Sequence, residues 1–287
     1  MADQYLLEHF YETCSEQSKE SIQCSGVALD DENYCWQEIA LYGERKCGNC
    51  SFSVETCGFY YGKGVFSPNF ENREYLSLMN IRSQEEFERA CEKINPRVKG
   101  IVVRGAVTDA ALPERFGELE FVALSGQRTE HLWDMSCNPS LRFLTIYGNK
   151  FLKSLNGIEK AENLECVQFF THISEVNTVK IDSLEPLSRL LKLKEVILSA
   201  TEPLDHNIDF LIGLPQLEYL WLSPHLFPTE AYAKFEAERF MLSEEYGIYW
   251  EDEEDIFPYG KSKRVMHTQE QKQRYLENYH ELMKHYQ

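Results

Sequence analysis

The sequence lacks the features that define a membrane protein or a common enzyme. Among its 287 residues there is no run of about 18 apolar residues, which excludes a conventional transmembrane helix. The opening MADQYLLEHFYETC has no basic leader followed by an apolar core, so we expect a cytoplasmic protein. No G-x-S-x-G, H-E-x-x-H or glycine-rich dinucleotide motif occurs either. We therefore predict that the protein is not an enzyme and has no catalytic residues.

Basic residues are scarce. The chain has 29 Lys and Arg against 47 Asp and Glu, which gives a net charge of −18. Nucleic-acid phosphates and anionic membrane surfaces repel such a chain, so we expect neither as a partner. A protein partner with a basic surface is the class that this charge favours.

Cysteine is concentrated in the first third of the chain, which holds seven of the nine. Cys47 and Cys50 form the one close pair, and Cys35 and Cys57 could complete a tetrahedral zinc site. The second close pair that is usual in such sites is missing, so free thiols in a reducing compartment are the preferred interpretation. A redox role for the C-x-x-C pair would need a helix N-terminus, whereas its neighbours predict a turn between strands.

A sixfold repeat occupies the middle of the chain. Six segments carry an apolar residue at positions 1, 4 and 6, and successive segments begin 21, 22, 23, 29 and 24 residues apart. All 18 of these positions are apolar, where the overall 43% would give about eight. One unit cannot bury its apolar side alone, but stacked units share a continuous core, so the repeat predicts a solenoid. The segments begin at Val98, Leu119, Leu141, Leu164, Leu193 and Leu217.

Apolar residues at intervals of three precede the later segments. This rhythm predicts a short 3₁₀ or helical turn in each unit, with one edge buried. The wider spacing after Leu164 predicts an inserted loop around residues 171–183. The sets are Leu155, Ile158 and Ala161; Leu184, Leu187 and Leu190; and Ile208, Leu211 and Leu214.

The segments resemble the leucine-rich repeat family, whose unit reads L-x-x-L-x-L-x-x-N. The best match is LRFLTIYGN, from Leu141 to Asn149. The resemblance covers about residues 98–225 and implies an α/β solenoid of about six rungs, with parallel strands on a concave face. In the family, the asparagine at position 9 bonds the neighbouring turn, and its loss in five rungs implies a less regular spine. Those rungs carry Ala106, Gln127, His172, Thr201 and His225.

Helix signals flank the repeat, as the open ends of a solenoid require. The segment SQEE at residues 83–86 has the form of a capping box and predicts a helix that ends before Pro96. Two more helices are predicted, one from residue 228 to about Tyr246 and one from the capping box at residues 268–271. The acidic run at residues 251–255 predicts a solvated loop.

These signals divide the chain into three parts. We predict a Cys-rich N-terminal α+β domain or cap at residues 1–95 and a leucine-rich-repeat-like solenoid at residues 96–225. A C-terminal helical capping region is predicted to follow at residues 226–287.

Positions 3, 5 and 7 of each rung are predicted to lie opposite the core, because alternate residues of a strand point to opposite faces. We call these 18 residues the outer face. Six are aromatic, where the overall 13% would give about two, and this enrichment is typical of protein interfaces. The strand preference of aromatic residues, or a covering helix, is the alternative explanation. The residues predicted to contact a partner are Phe121, Phe143, Thr145, Tyr147, Gln168, Phe170, Glu195, Tyr219 and Trp221.

The leading hypothesis is therefore a non-catalytic protein–protein recognition module that uses the outer face. Its more specific form, by analogy at the level of the family, is an intracellular neutraliser (an immunity-type protein) of a basic toxin or nuclease. The alternative places function in a zinc-bearing or thiol-active N-terminal domain, with the repeats as a substrate-holding arm. No cofactor other than this zinc is expected.

Overall fold

The computed structural model describes residues 60–62, 65–66, 75–111, 115–170, 178–199, 201–239, 249–252, 255–260 and 265–287. The strands are β1 (Tyr60–Gly62), β2 (Val65–Phe66), β3 (Tyr75–Ile81), β4 (Gly100–Gly105), β5 (Phe121–Ser125), β6 (Phe143–Tyr147), β7 (Cys166–Phe170), β8 (Val179–Ile181), β9 (Glu195–Leu198), β10 (Thr201–Pro203), β11 (Tyr219–Leu222), β12 (Tyr249–Asp252) and β13 (Asp255–Pro258). The α-helices are α1 (Gln84–Lys93), α2 (Asp209–Ile212), α3 (Thr229–Glu238) and α4 (Gln269–Tyr286). Short 3₁₀ helices cover Met135–Cys137, Ile158–Lys160 and Glu185–Arg189.

The six predicted repeat segments form consecutive neighbours in one nine-stranded sheet, whose order is β11-β9-β7-β6-β5-β4-β3-β1-β2. Equivalent positions pair without slippage from β4 to β11, and all of these pairs are parallel. The position-4 residues illustrate this register, because they lie side by side across the sheet. They are Ile101, Val122, Leu144, Val167, Val196 and Leu220. The predicted solenoid of stacked parallel rungs is confirmed.

The other sides of each rung are short turns, as the three-residue rhythm predicts. The 3₁₀ helices at Ile158–Lys160 and Glu185–Arg189 and the single turn of α2 occupy the predicted places. The prediction of a loop across residues 171–183 is wrong in its second half, because residues 179–181 form β8, which pairs in parallel with β10. The 29-residue spacing after Leu164 therefore contains an extra strand, which lies outside the main sheet.

The core is continuous from α1 to α4. The residues at positions 1, 4 and 6 point into it, and those of the first five rungs are nearly inaccessible to solvent. The three-residue sets of the turns close the core from the opposite side, and all nine of their members are buried. Burial of apolar area on this scale is the main stabilising contribution to such a stack.

At the N-terminal end, the sheet extends past the predicted boundary at residue 95, since β3 pairs in parallel with β4 and β1 pairs with β3. The predicted helix is present as α1, and the Ser83 hydroxyl accepts a hydrogen bond from the Glu86 amide at 3.2 Å. Phe87, Ala90 and Cys91 of this helix are buried. The division into three parts stays a prediction.

The C-terminal region packs as a cap through α3, α4 and their tyrosines. The Tyr232 hydroxyl donates to the Ser223 carbonyl at 2.6 Å, and its ring stacks on Tyr259 at 4.6 Å between centroids. The Tyr275 hydroxyl donates to the Tyr259 carbonyl at 3.1 Å. The capping box of α4 is present as predicted. Helix α3, however, ends at Glu238, earlier than predicted.

The acidic run does not form a loop throughout. Residues 251 and 252 end β12 and residue 255 begins β13, and these two strands pair as an antiparallel hairpin. The prediction of a solvated loop is therefore wrong for these three positions. The periodicity of this segment is hidden by its uniform charge, because alternation of apolar and polar residues is the usual strand signal.

Position 9 of each rung, which we call the ladder position, shows how neighbouring turns are connected although most of the family's asparagines are absent. Asn149 is buried, and its Nδ2 donates to the Thr129 carbonyl at 2.9 Å and to Thr129 Oγ1 at 2.8 Å. Its Oδ1 accepts from the Phe151 amide at 3.1 Å. In the rung before it, Gln127 Nε2 donates to the Val103 carbonyl at 3.3 Å. A longer amide thus replaces asparagine at one rung.

We expect Asn149→Ala to lower the free energy of unfolding by about 2 kcal/mol, because it leaves buried backbone groups unsatisfied. Denaturant unfolding measures this loss. Asn163→Ala is the matched control, since Asn163 also donates to a backbone carbonyl, that of Pro139 at 2.8 Å, but at a partly exposed corner. Equal losses in the two variants would contradict a special role for the buried ladder position.

Candidate functional site

The outer face consists of three rows of residues that cross the sheet in register. The position-3 row runs through Phe121, Phe143, Cys166, Glu195 and Tyr219. The position-5 row runs through Ala123, Thr145, Gln168, Ile197 and Trp221. In the position-7 row, Ser125, Tyr147 and Phe170 are neighbours. All nine residues predicted to contact a partner thus belong to one sheet face, which the register brings together.

Four of the nine predicted residues are buried in the structure. Phe121, Phe143, Gln168 and Glu195 are all less than 5% exposed, although the prediction assumed an accessible face. Phe121 and Phe143 are not members of the apolar core cluster, and the register places all four residues on the opposite face of the sheet from it, where they form a second buried layer. Their role as partner contacts stays a prediction.

The accessible part of the predicted site is smaller. Thr145, Tyr147, Tyr219 and Trp221 are half-buried, with part of each residue in contact with solvent. Tyr219 and Trp221 lie on β11, the last strand of the sheet, two residues apart on one face. The side chain of Phe170 lies outside the described part of the structure. Among the aromatic residues predicted to contact a partner, those whose described side chains reach solvent are therefore Tyr147 and the β11 pair.

A buried polar cluster lies between β7 and β9. Gln168 Nε2 donates to Glu195 Oε1 at 2.6 Å. Cys166 lies beside Glu195, and its pKa is raised well above the usual value, chiefly by burial and then by the neighbouring carboxylate. Its thiol is therefore protonated at neutral pH and is not a nucleophile. Burial likewise raises the pKa of Cys91 to about 12.

A charge pattern beside the strands was missed in the sequence reasoning. Position 2 alternates in sign through all six rungs, and its backbone amides and carbonyls connect each rung to the next. Glu165 carries two ion pairs, to Arg142 Nε and to Lys194 Nζ, each at 2.8 Å. Burial opposes ionisation of Glu165, but the hydrogen bonds from these two cations keep its pKa below the usual value. The position-2 residues are Lys99, Glu120, Arg142, Glu165, Lys194 and Glu218.

This alternation supports the register of the sheet rather than a binding site. In the native order, each rung places its position-2 charge beside an opposite charge on the next rung. Pairing a rung with the next but one would place two like charges side by side. The signal was readable as soon as the repeat had been aligned. Surface ion pairs contribute little individually to the free energy of unfolding. We therefore expect the charge alternation to affect which rungs become neighbours more than it affects stability.

The metal prediction is not tested by the described residues. The four candidate ligands Cys35, Cys47, Cys50 and Cys57 lie outside them. In the described ranges, no group of three or more His, Cys, Asp or Glu residues is placed to hold a metal ion. Cys91, Cys137 and Cys166 are free thiols. Zinc in the N-terminal third stays an expectation.

One further property concerns membranes. None of the helices that the structure describes is both long enough and apolar enough to span a bilayer. Helix α4, the longest of them, alternates charged residues with a tyrosine stripe that packs against α3.

Parallel strands in register, joined through 3₁₀ turns around one core, define the repeat region as a leucine-rich-repeat-like solenoid. No family model matches the sequence, and no curated protein sequence matches it. Among solved structures, internalin C2 from Listeria monocytogenes is 15% identical over 55% of this chain and 64% of that chain, with a TM-score of 0.41. The functional domain of InlJ from the same organism is 15% identical over 53% of this chain and 30% of that one, with a TM-score of 0.40.

A second internalin, InlF from Listeria monocytogenes, is 17% identical over 56% of this chain and 51% of that one, with a TM-score of 0.40. The chain thus spans less than two thirds of the length of each of these three proteins.

Proposed function

We propose that this protein is a non-catalytic recognition module that binds a protein partner through the accessible part of the outer face. The observation that carries the proposal is the placement of Tyr219 and Trp221. Two half-exposed aromatic side chains stand side by side on a strand whose neighbours hold it in a rigid, in-register sheet. Rigid aromatic anchors lose little conformational entropy on binding and are enriched in the energetic centres of interfaces.

The partner is basic in this proposal, because the chain carries a net charge of −18. Long-range attraction by such a field accelerates association with a positively charged protein and repels acidic ones. A cytoplasmic neutraliser of a basic toxin or nuclease is the specific form that we propose. The raised pKa of the Cys166 thiol supports a binding role for this face of the repeat region rather than thiol chemistry at that residue.

The test is affinity capture from the source cell with the full chain and with the double variant Tyr219→Ala and Trp221→Ala. We expect the double variant to keep its fold and to lose at least about tenfold of the captured basic partner, as truncation of hot-spot aromatics does. Phe151→Ala is the matched control, since Phe151 is 50% exposed at a turn away from the outer face. Quantitative mass spectrometry and circular dichroism measure capture and folding.

Two results would overturn the proposal. One is equal capture by the double variant and by Phe151→Ala. The other is loss of the folded signal in the double variant, which would show that the two rings are structural. Capture that is unchanged between about 0.05 M and about 0.5 M salt would remove the argument for a basic partner, because salt screens such attraction.

A further inference from the structure

The sheet ends at β11 in an edge of backbone groups that point away from it. Among the described strands, β11 pairs with β9 alone. The Tyr219 amide donates to the Lys194 carbonyl at 2.9 Å, and the Ser223 amide donates to the Leu198 carbonyl at 3.1 Å. In a parallel ladder the alternate residues bond to opposite sides, so the N–H and C=O groups of Leu220 and Leu222 point to the outer edge. These groups have the spacing that another strand requires.

The side chains of β11 are also less covered than those of the inner strands. The five inner residues at position 4 are 0% exposed, whereas Leu220 at the same position is only half-buried. Tyr219 and Trp221, on the other face of the strand, are half-buried as well. Apolar surface is therefore accessible on both sides of the edge.

The described hydrogen bonds and the ion pair between the C-terminal cap and the last rung lie at the two ends of that rung. Beyond the end of β11, Ser223 accepts from Tyr232, and the Gly260 amide donates to the Pro224 carbonyl at 2.7 Å. On the turn side, Lys234 Nζ pairs with Asp209 Oδ2 at 2.8 Å. These contacts close the core below the last rung while the backbone edge of residues 220–222 takes part in none of them.

We infer that the outer edge of β11 binds an extended, basic segment of the partner as an added strand. Main-chain hydrogen bonds to Leu220 and Leu222 would hold the segment, and Trp221 and Leu220 would contact its side chains on the two faces. The occupant is basic because Glu218, immediately before β11, is exposed and the whole chain carries −18. A second copy of this chain carries the same charge and is therefore repelled. The inference rests on the proposed function and adds the mode of recognition.

Proline at position 220 tests the edge directly. Leu220→Pro removes the outward N–H and leaves the hydrogen bonds to β9 in place, since proline is tolerated on edge strands with its nitrogen facing outward. Leu220→Ala is the matched control, because it removes the side chain and keeps the N–H. The probe is a blocked peptide of alternating valine and lysine, about eight residues long, which favours an extended form and matches the charge.

We expect the peptide to slow hydrogen exchange of the Leu220 and Leu222 amides at least about tenfold, measured by NMR. By calorimetry, Leu220→Pro should weaken its binding at least about tenfold, and Leu220→Ala less than about threefold. A second peptide, N-methylated at two consecutive central residues, one valine and one lysine, keeps the charge but lacks a complete row of N–H donors on either edge, so it cannot add as a regular strand. It should bind at least about tenfold more weakly, and this comparison needs no variant to fold.

Several outcomes would overturn the inference. Equal binding of the two peptides would indicate attraction by charge alone, and unchanged exchange at Leu220 would place the peptide elsewhere. A dimer in sedimentation experiments that Leu220→Pro abolishes would identify a second copy as the occupant. If the cellular partner is lost with the Tyr219 and Trp221 variant but kept with Leu220→Pro, the proposed function stands and strand addition fails.

Discussion

Gly157→Ala is expected to lower the free energy of unfolding by about 3 kcal/mol or more. Gly157 has φ of 104°, a left-handed conformation that side chains disfavour. A Cβ atom there would lie 2.3 Å from the carbonyl oxygen of Trp133 and 3.0 Å from its carbonyl carbon. Both are backbone atoms of the preceding rung, so the clash is relieved only if neighbouring rungs move apart.

The control for this substitution is Gly126→Ala. Gly126 also has a positive φ, 68°, but a Cβ there meets nothing within 4 Å. Its cost should be the backbone preference alone, about 1 kcal/mol. Guanidinium unfolding of both variants separates the two contributions. Similar losses in both would mean that the rungs can separate at Gly157 without a large cost.

Gly157 also shows where the sequence reasoning stops. The apolar residues Leu155 and Ile158 around it predict the turn, and the structure has a 3₁₀ helix there. Nothing in the local sequence says that the Trp133 carbonyl of another rung lies against this glycine. The repeat predicts which rungs are neighbours, but the distance between two backbones depends on packing.

The register of the sheet was predictable because its signal is local and repeated. Apolar residues at positions 1, 4 and 6 recur in every rung, and parallel pairing aligns identical positions. A one-residue slip would turn every anchor to the wrong face, so few alternatives compete with this arrangement. The same alternation placed all nine candidate residues on one face.

The accessibility of that face was not predictable in the same way. Period-two alternation identifies which residues share a face, but it does not say what covers them. Phe143 and Tyr147 are both aromatic residues of β6 on the outer face, yet the first is buried and the second half-exposed. The alternation therefore identified the face correctly. Its aromatic enrichment led to too high an expectation of how much of it reaches solvent.

Glu236 illustrates a second limit. It follows Tyr232 by four residues on α3, so the two side chains share one helix face. In isolation a glutamate there predicts a solvated position. The structure places it against α4, where Tyr279 and Tyr275 enclose it together with Tyr259. Glu236 is half-buried, and only the packing of a helix more than thirty residues further along the chain decides how far its carboxyl group is enclosed.

Burial raises the pKa of Glu236 to about 7. The nearby Tyr279 hydroxyl opposes this shift, although it makes no well-formed hydrogen bond to the carboxylate. Burial, followed by the negative charge of Glu236, in turn raises the pKa of Tyr279, so the phenol stays neutral over the pH range of interest. The tyrosine rings thus surround a carboxyl group that gives up its proton less readily than an exposed glutamate does.

We expect Glu236→Gln to stabilise the protein by about 3 kcal/mol at pH 8 and to change its stability by less than about 0.5 kcal/mol at pH 4. The folded-state pKa of about 7 exceeds the ordinary value of 4.5, so the folded state binds the proton more tightly. The contribution of Glu236 is therefore fully present below about pH 4.5. It is lost as pH rises to about 7, because the buried carboxylate then becomes charged. Glutamine has the shape of the protonated acid and cannot ionise.

Urea unfolding of the two proteins at intervals from pH 4 to pH 8 measures this difference directly. Glu238→Gln is the matched control, because it removes one carboxylate from an exposed position of the same helix. Its effect should stay within about 0.5 kcal/mol across the range. If Glu236→Gln gave a constant difference at every pH, the group would titrate alike in both states and could not be enclosed by α3 and α4. A difference that grows with pH would instead show that ionisation of one enclosed carboxyl group weakens the packing between α3 and α4.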